Sequence, residues 1–157
     1  ISFCVMVRNK QLSLHREVPT TPERSRIKAA IKGKGNKSTE ARLISIMKVY
    51  GIKGWRRNYK LQGKPDFVFP KLRLALFVDG CFWHGCHRCY KEPKKNVEFW
   101  KEKLKINSMR DRRNSRQLRE MGWSVGRIRE HSLKNPETTA RRITNLISKR
   151  VAILNNS

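Results

Sequence analysis

One run constrains the fold of this chain more than any other: LRLALFV over residues 72–78. An almost unbroken apolar run of this length reads as a strand covered on both faces, so the rest of the chain must supply a layer on each side of it. Just upstream, Phe67-Val68-Phe69 reads as a second strand, and Pro70-Lys71 as the turn between them. The two strands should pair as a hairpin, which brings Asp66 near one end of the second strand. The covering layers are helical. From Ser38 the apolar residues Leu43, Ile46, Met47 and Tyr50 recur at offsets of three and four, with Gly51 as a stop and Glu40 in the first turn. A long helix is predicted from about Asn96 to Met121, with Val97, Trp100, Leu104 and Leu118 inward and Gly122 at its end. Residues 123–128 form a third strand candidate, and Asn135-Pro136 caps a last helix with Ala140, Ile143, Ile147 and Val151 on one stripe. The order helix, strand, strand, helix, strand, helix predicts an α/β sandwich: a small mixed central sheet flanked by helices.

The chain has 157 residues, a length that predicts one domain, and its 37 Lys and Arg face 12 Asp and Glu for a net charge of +25. With 38% hydrophobic residues it can fill a core, so general disorder is excluded. So large a charge on a small body points to a polyanion, nucleic acid first and an anionic membrane surface second. No apolar run approaches the roughly 18–20 residues of a membrane span. The opening ISFCVMV lacks the basic lead and cleavage site of a secretory signal, which points to the cytosol. Residues 1–20 read as an extension without a core of its own, followed by a domain over 21–157. That domain opens on a basic arm, residues 21–37, in which six Lys or Arg from Arg24 to Lys37 face one acid, Glu23. Such a run is either a solvated face or an arm that tracks phosphates.

Against this charge the acids are scarce, and only three are Asp: Asp66, Asp79 and Asp111. Asp66 opens one strand and Asp79 closes the next, so hairpin pairing can place both at one edge of the sheet. Two such acids can hold magnesium, which takes one or two carboxylates together with phosphate and water and suits phosphodiester cleavage. The plainer reading has Asp66 capping a turn and Asp79 in a surface salt bridge. Glu40 and Asp111, taken alone, read as helix-surface acids. A Pro-Asp, an apolar strand and then an acid is similar to nucleases with an acid-x-Lys element on the second strand. Here Cys81 stands in place of that Lys, so another base is required, and His84 is nearest. An imidazole titrates near neutrality and can take a proton from water.

Cys4 stands alone, whereas Cys81-x4-Cys86-x2-Cys89 gathers three soft ligands. A structural zinc site wants a fourth, for which His87 and His131 compete. His87 is cramped between two ligands, while His131 follows the third strand and can close the site across the fold, which favours His131. A closed site of four ligands is structural, and reduced unliganded thiols are the alternative.

The segments FVDGCFWHGC, GKPDF, NVEFWKEKLKINSMRDRR and LREMGWSV together resemble the very short patch repair (Vsr) DNA mismatch endonucleases over about residues 21–135. The resemblance implies a bacterial enzyme with a restriction-endonuclease-like fold, catalytic magnesium and a structural zinc. It implies nicking on the 5′ side of the T in a T:G mismatch left by deamination of 5-methylcytosine. The partner would be double-stranded DNA with that mismatch, with other repair proteins besides, and a monomer suits a single-strand nick. Carried over, Asp66 is the principal magnesium ligand, aided by the backbone carbonyl of Val78. His84 is the general base, supported by Glu40, and Asp111 is a further active-site acid. Asp79 stands where the family pattern has His, which leaves its role open between metal ligand, partner of another site residue and source of field. The implied zinc ligands are Cys81, Cys86, Cys89 and His131. Phe82, Trp83 and Trp100 match the aromatic residues that intercalate at the mismatch, where a wobble pair is cheaper to unstack than a matched one. Read without the family, Trp100 would be core. The arm matches a segment that crosses the minor groove, with Lys28 near a common Met, and Arg129 replaces a common Trp. Two other readings remain: a zinc-stabilised DNA-binding module without catalysis, and a restriction-type nuclease on matched DNA.

Overall fold

The computed structural model describes residues 39–156, so the extension over 1–20 with Cys4 and the basic arm over 21–37 with Lys28 lie outside the described residues. The first described element, α1 (residues 39–49), buries Leu43, Ile46 and Met47 as its spacing predicts. Gly51, at φ +66°, stops it: the Gly51 amide donates to Lys48 O and the Ile52 amide to Met47 O, the paired closure that a left-handed residue after a helix permits. Because the backbone leaves the helix here, Tyr50 does not join the buried stripe and is 46% exposed. Ile52, beyond the glycine, takes the core position instead.

Strand β1 (Phe67–Phe69) pairs antiparallel with β2 (Leu74–Asp79), in the register Phe67↔Leu76, Val68↔Ala75, Phe69↔Leu74. The turn is longer than Pro70-Lys71. Pro70–Leu72 form one 3-10 turn, closed by the Arg73 amide on Pro70 O, so the second strand begins at Leu74 and not Leu72. Strand β3 (Ser124–Arg129) runs parallel to β2 on its other side, giving the order β1-β2-β3 and the expected mixed sheet. A parallel pair needs a long crossover, and α2 (Val97–Glu120) lies within it. The central place of β2 explains its composition: Leu74, Ala75 and Leu76 are all fully buried.

The two faces of the sheet are covered unequally. Leu74 and Leu76, with Phe67, Phe69 and Ile128, pack on α1 and on Ala140 and Ile143 of α3 (Pro136–Asn155). Ala75 and Phe77 meet a smaller cluster, Leu118 of α2 with Leu61, Trp123 and Val125. Of the four apolar residues expected inward on α2, only Leu118 is fully buried; Val97, Trp100 and Leu104 are half-buried, since this end of the helix runs beyond the sheet beside the cysteine loop. Gly122, at φ +82°, ends α2 with the same double closure, from Gly122 to Arg119 O and from Trp123 to Leu118 O. Asn135 caps α3, its side-chain oxygen accepting from the Thr138 amide at 3.1 Å, and the helix buries its stripe as far as Ile147 while Val151 is 39% exposed. No helix among the described residues is long and apolar enough to cross a membrane.

Leu118 is therefore the main apolar anchor of α2 on the sheet. Leu118→Ala is expected to lower unfolding stability by about 2–5 kcal/mol, as truncation of a fully buried leucine does. Denaturant titration reads this directly, and a loss below about 1 kcal/mol would mean that α2 is held by its polar contacts instead.

Candidate active site and metal centre

The parallel strands β2 and β3 end side by side, and the acids collect at that carboxyl end, where open α/β sheets commonly bind ligands. One residue beyond the last β1–β2 pair, Asp66 accepts a 2.7 Å hydrogen bond from the Val78 amide through Oδ2. Asp66, Val78, Asp79, His84 and Asp111 all line one open cleft of about 400 Å³, with Lys64, Asn114 and Arg127. Burial pushes the Asp66 carboxyl above the usual carboxylate range, and the negative charges of Glu40 and Asp79 add to this, against the pull of the Val78 amide. A bound cation would offset all three unfavourable effects, which makes this oxygen set fit a hard divalent ion.

His84 stands in the turns that follow β2, where its amide donates to Gly80 O. Its ring lies between two carboxylates: Nδ1 is 2.7 Å from Asp111 Oδ2, and Nε2 is 3.7 Å from Asp79 Oδ1. Asp111 is half-buried, and although desolvation raises its pKa, the His84 hydrogen bond and the Arg127 and Arg110 charges outweigh this and hold it below its ordinary value. Asp79 is only 5% exposed, so it is no surface salt bridge; Arg127 Nη1 meets its Oδ1 at 2.8 Å. Glu40 stands apart. It lies on α1, pairs with Arg57 and does not line the cleft, reaching Asp66 through its charge alone.

Arg127 belongs to this group and no motif singles it out. The signal available for it is its place in SVGRIR, where it alternates with Val125 on the face of the sheet that meets α2. A long cation at such a position rarely goes unpaired. Its neighbour Arg129, half-buried at the end of β3, has Nη1 buried without a hydrogen-bond partner.

Beside the cleft the four sulfur and imidazole groups converge. Cys81, Cys86, Cys89 and His131 each place one ligand atom within 4.8 Å of the others, and His131 Nδ1 lies 3.3 Å from both Cys81 Sγ and Cys86 Sγ. Tetrahedral zinc at its usual bond lengths needs edges of roughly 3.5–3.8 Å, so the two His131 edges would open slightly and the longest edge would close by about 1 Å at most, and the cluster can hold a metal such as zinc. His87 is exposed and outside the cluster. Burial pushes the Cys81 thiol up to about 11, with the neighbouring sulfurs adding to the shift and the His131 backbone opposing it. At Cys86 desolvation is outweighed by hydrogen bonds from the Arg88 and Cys89 backbone, so its thiol lies below the ordinary value. Glu130 Oε2 accepts from the Cys81 amide at 3.0 Å and fixes the cluster to the end of β3.

The loop that carries these cysteines also carries Phe82, Trp83 and Tyr90, which form an aromatic group with Phe99 and Trp100 of α2. The Phe82 ring lies 5.3 Å from Trp83 and 5.2 Å from Trp100, Trp83 lies 5.9 Å from Trp100, and Tyr90 and Phe99 extend the cluster. Trp100 is thus not sheet core, and Trp83 is 38% exposed at the surface. Asn107, buried on α2, donates from Nδ2 to Trp83 O and ties this loop to the helix.

Comparison with known proteins places the chain in a family. The family model of the DNA mismatch endonuclease Vsr matches residues 16–91, a span that includes Asp66, Asp79, His84 and the three clustered cysteines. DNA mismatch endonuclease Vsr of Escherichia coli is 41% identical over 100 residues, covering 62% of this chain and 64% of its own length. The type II nicking enzyme V.NmeAIP of Neisseria meningitidis is 33% identical over 133 residues, 83% of this chain and 94% of its own length. V.HpaIIP of Haemophilus parainfluenzae, also a type II nicking enzyme, is 34% identical over 136 residues, with 83% and 95% covered. Identity sustained over nearly the whole of several such relatives reflects common descent, and the chain belongs to the Vsr family of DNA mismatch endonucleases.

Proposed function

We propose that the protein is a magnesium-dependent endonuclease that nicks one DNA strand on the 5′ side of the T in a T:G mismatch arising from 5-methylcytosine deamination. The observation that supports this best is the meeting of the Asp66 carboxylate and the His84 imidazole in one cleft of a protein with net charge +25. Asp66 and the Val78 carbonyl are the oxygen donors for magnesium, which when bound polarises the phosphate and acidifies the attacking water. Asp111, accepting from Nδ1–H, selects the His84 tautomer whose Nε2 is free to accept a proton. At 3.7 Å, Asp79 Oδ1 is too far to occupy that nitrogen with a hydrogen bond. Zinc, which Cys81, Cys86, Cys89 and His131 would hold, would fix the loop that bears His84, Phe82 and Trp83.

Phe82, Trp83 and Trp100 form the wedge that opens the duplex at the mismatch, where stacking on an aromatic ring returns roughly 1–3 kcal/mol per base. The protein acts in the cytoplasm as a monomer, one active site serving one strand. Labelled duplexes that differ only in a T:G or T:A pair, incubated with the protein and magnesium, test the reading: a strand-specific nick is expected with T:G alone. Binding without a nick would favour a DNA-binding module, and equal cleavage of both duplexes a restriction-type nuclease. Trp83→Ala is expected to reduce T:G nicking by about tenfold or more, from the loss of one stacking partner. An undiminished rate would remove Trp83 from the wedge.

A further inference from the structure

The two carboxylates that flank His84 come from different elements, Asp79 from β2 and Asp111 from α2, and the imidazole stands on neither. Its orientation thus depends on something that fixes both acids at once. Arg127 meets that need from a third element, β3. Nη1 is 2.8 Å from Asp79 Oδ1 and 3.6 Å from Asp111 Oδ2, while Nη2 donates to the Asp111 carbonyl at 3.3 Å and to Ser115 Oγ at 3.4 Å. The guanidinium lies over the Phe77 ring, 4.7 Å from its centre, so a cation–π contact holds it as well as hydrogen bonds. Without this cation Asp79 would lose its 2.8 Å partner and Asp111 would keep only His84 and Arg110, 3.9 Å away, so no group would tie one acid to the other against their repulsion.

We propose that Arg127 is a positioning residue for the nicking reaction: it clamps Asp79 to Asp111, so that Asp111 alone accepts the hydrogen bond from His84 Nδ1–H and Nε2 is left facing the cleft. This rests on the function proposed above. The task needs a planar fork with several donors at fixed angles, which an ammonium group does not provide.

Arg127→Met and Arg127→Lys test the clamp in the full chain. Single-turnover nicking of a T:G duplex by Arg127→Met is expected to slow about 100-fold, the scale on which a misplacement of about 1 Å acts, with the Kd for the duplex changed less than about threefold. Arg127→Lys should recover part of the rate, since it keeps the charge and loses the fork. The His84 Nδ1 proton resonance, assigned by comparison with His84→Gln, should broaden or shift in Arg127→Met. A wild-type rate in Arg127→Met, or a loss lying wholly in Kd, would overturn the clamp. If Arg127→Met does not fold, a full rate in Arg127→Lys overturns it. Should the wild-type protein nick no duplex, the nuclease reading fails separately, and an unaltered His84 resonance in the variant then decides against the clamp.

Discussion

Asp66→Asn is expected to nick about 1,000-fold more slowly than the wild type, yet to melt no lower in metal-free buffer at neutral pH. The rate loss follows from removing the principal anionic ligand for a cation whose polarising effect amounts to several kcal/mol, tenfold for each 1.4 kcal/mol. The stability result follows from the direction of the Asp66 shift. Burial raises its pKa above the unfolded value, so its contribution to stability is intact below the unfolded pKa and is lost as pH rises through the folded one. At neutral pH the ionised carboxylate therefore works against folding. Asparagine removes that charge, keeps an oxygen to accept from the Val78 amide, and fills the same space. Melting curves with and without magnesium complete the measurement: the ion should stabilise the wild type and leave the variant unchanged. A variant that nicks at the wild-type rate would take Asp66 out of the site, and one that melts well below the wild type would show the carboxylate to be a structural partner.

The sequence disclosed those parts of this site that depend on local or near-local order. The gap between Asp66 and β2 is one hairpin, so pairing alone puts the carboxylate beside Val78. Gly51 and Gly122 stop their helices through backbone geometry that the residue type itself dictates. His131 was legible because a three-cysteine loop lacks one ligand and β3 delivers a histidine at its end. Other features depend on backbone exits or contacts that the apolar period alone does not encode. Tyr50 continues the apolar period but falls in the helix closure, where Ile52 displaces it. Glu40 pairs with Arg57, 17 residues on, and acts on Asp66 through its charge. Arg127 looked like any basic residue of a basic chain until the register of β3 set it against Phe77, Asp79 and Asp111.

Stripping the Cys81, Cys86, Cys89 and His131 cluster of metal is expected to lower the melting temperature by about 10 °C and to abolish nicking. Structural zinc contributes about 10–16 kcal/mol in small fingers that have no other core; here two apolar clusters hold the sheet, so several kcal/mol, or about 10 °C, is the proportionate loss. The effect on nicking should exceed the effect on stability. The cluster links the loop after β2 to the turn Glu130–Lys134 after β3, and His84, Phe82 and Trp83 stand on that loop while Trp100 stands on α2, with ties between the two such as Asn107 to Trp83. Once the link is cut, the sheet can persist while His84 leaves Asp111. Cys86→Ala should reproduce the chelated state, whereas His87→Ala, exposed and outside the cluster, should bind one zinc and behave as wild type. Metal analysis, melting and nicking on the same samples separate the outcomes. A wild-type protein without bound zinc, or one that keeps its rate after chelation, would mean that the four residues meet for packing alone and that the loop is held by its hydrogen bonds to Glu130 and Asn107.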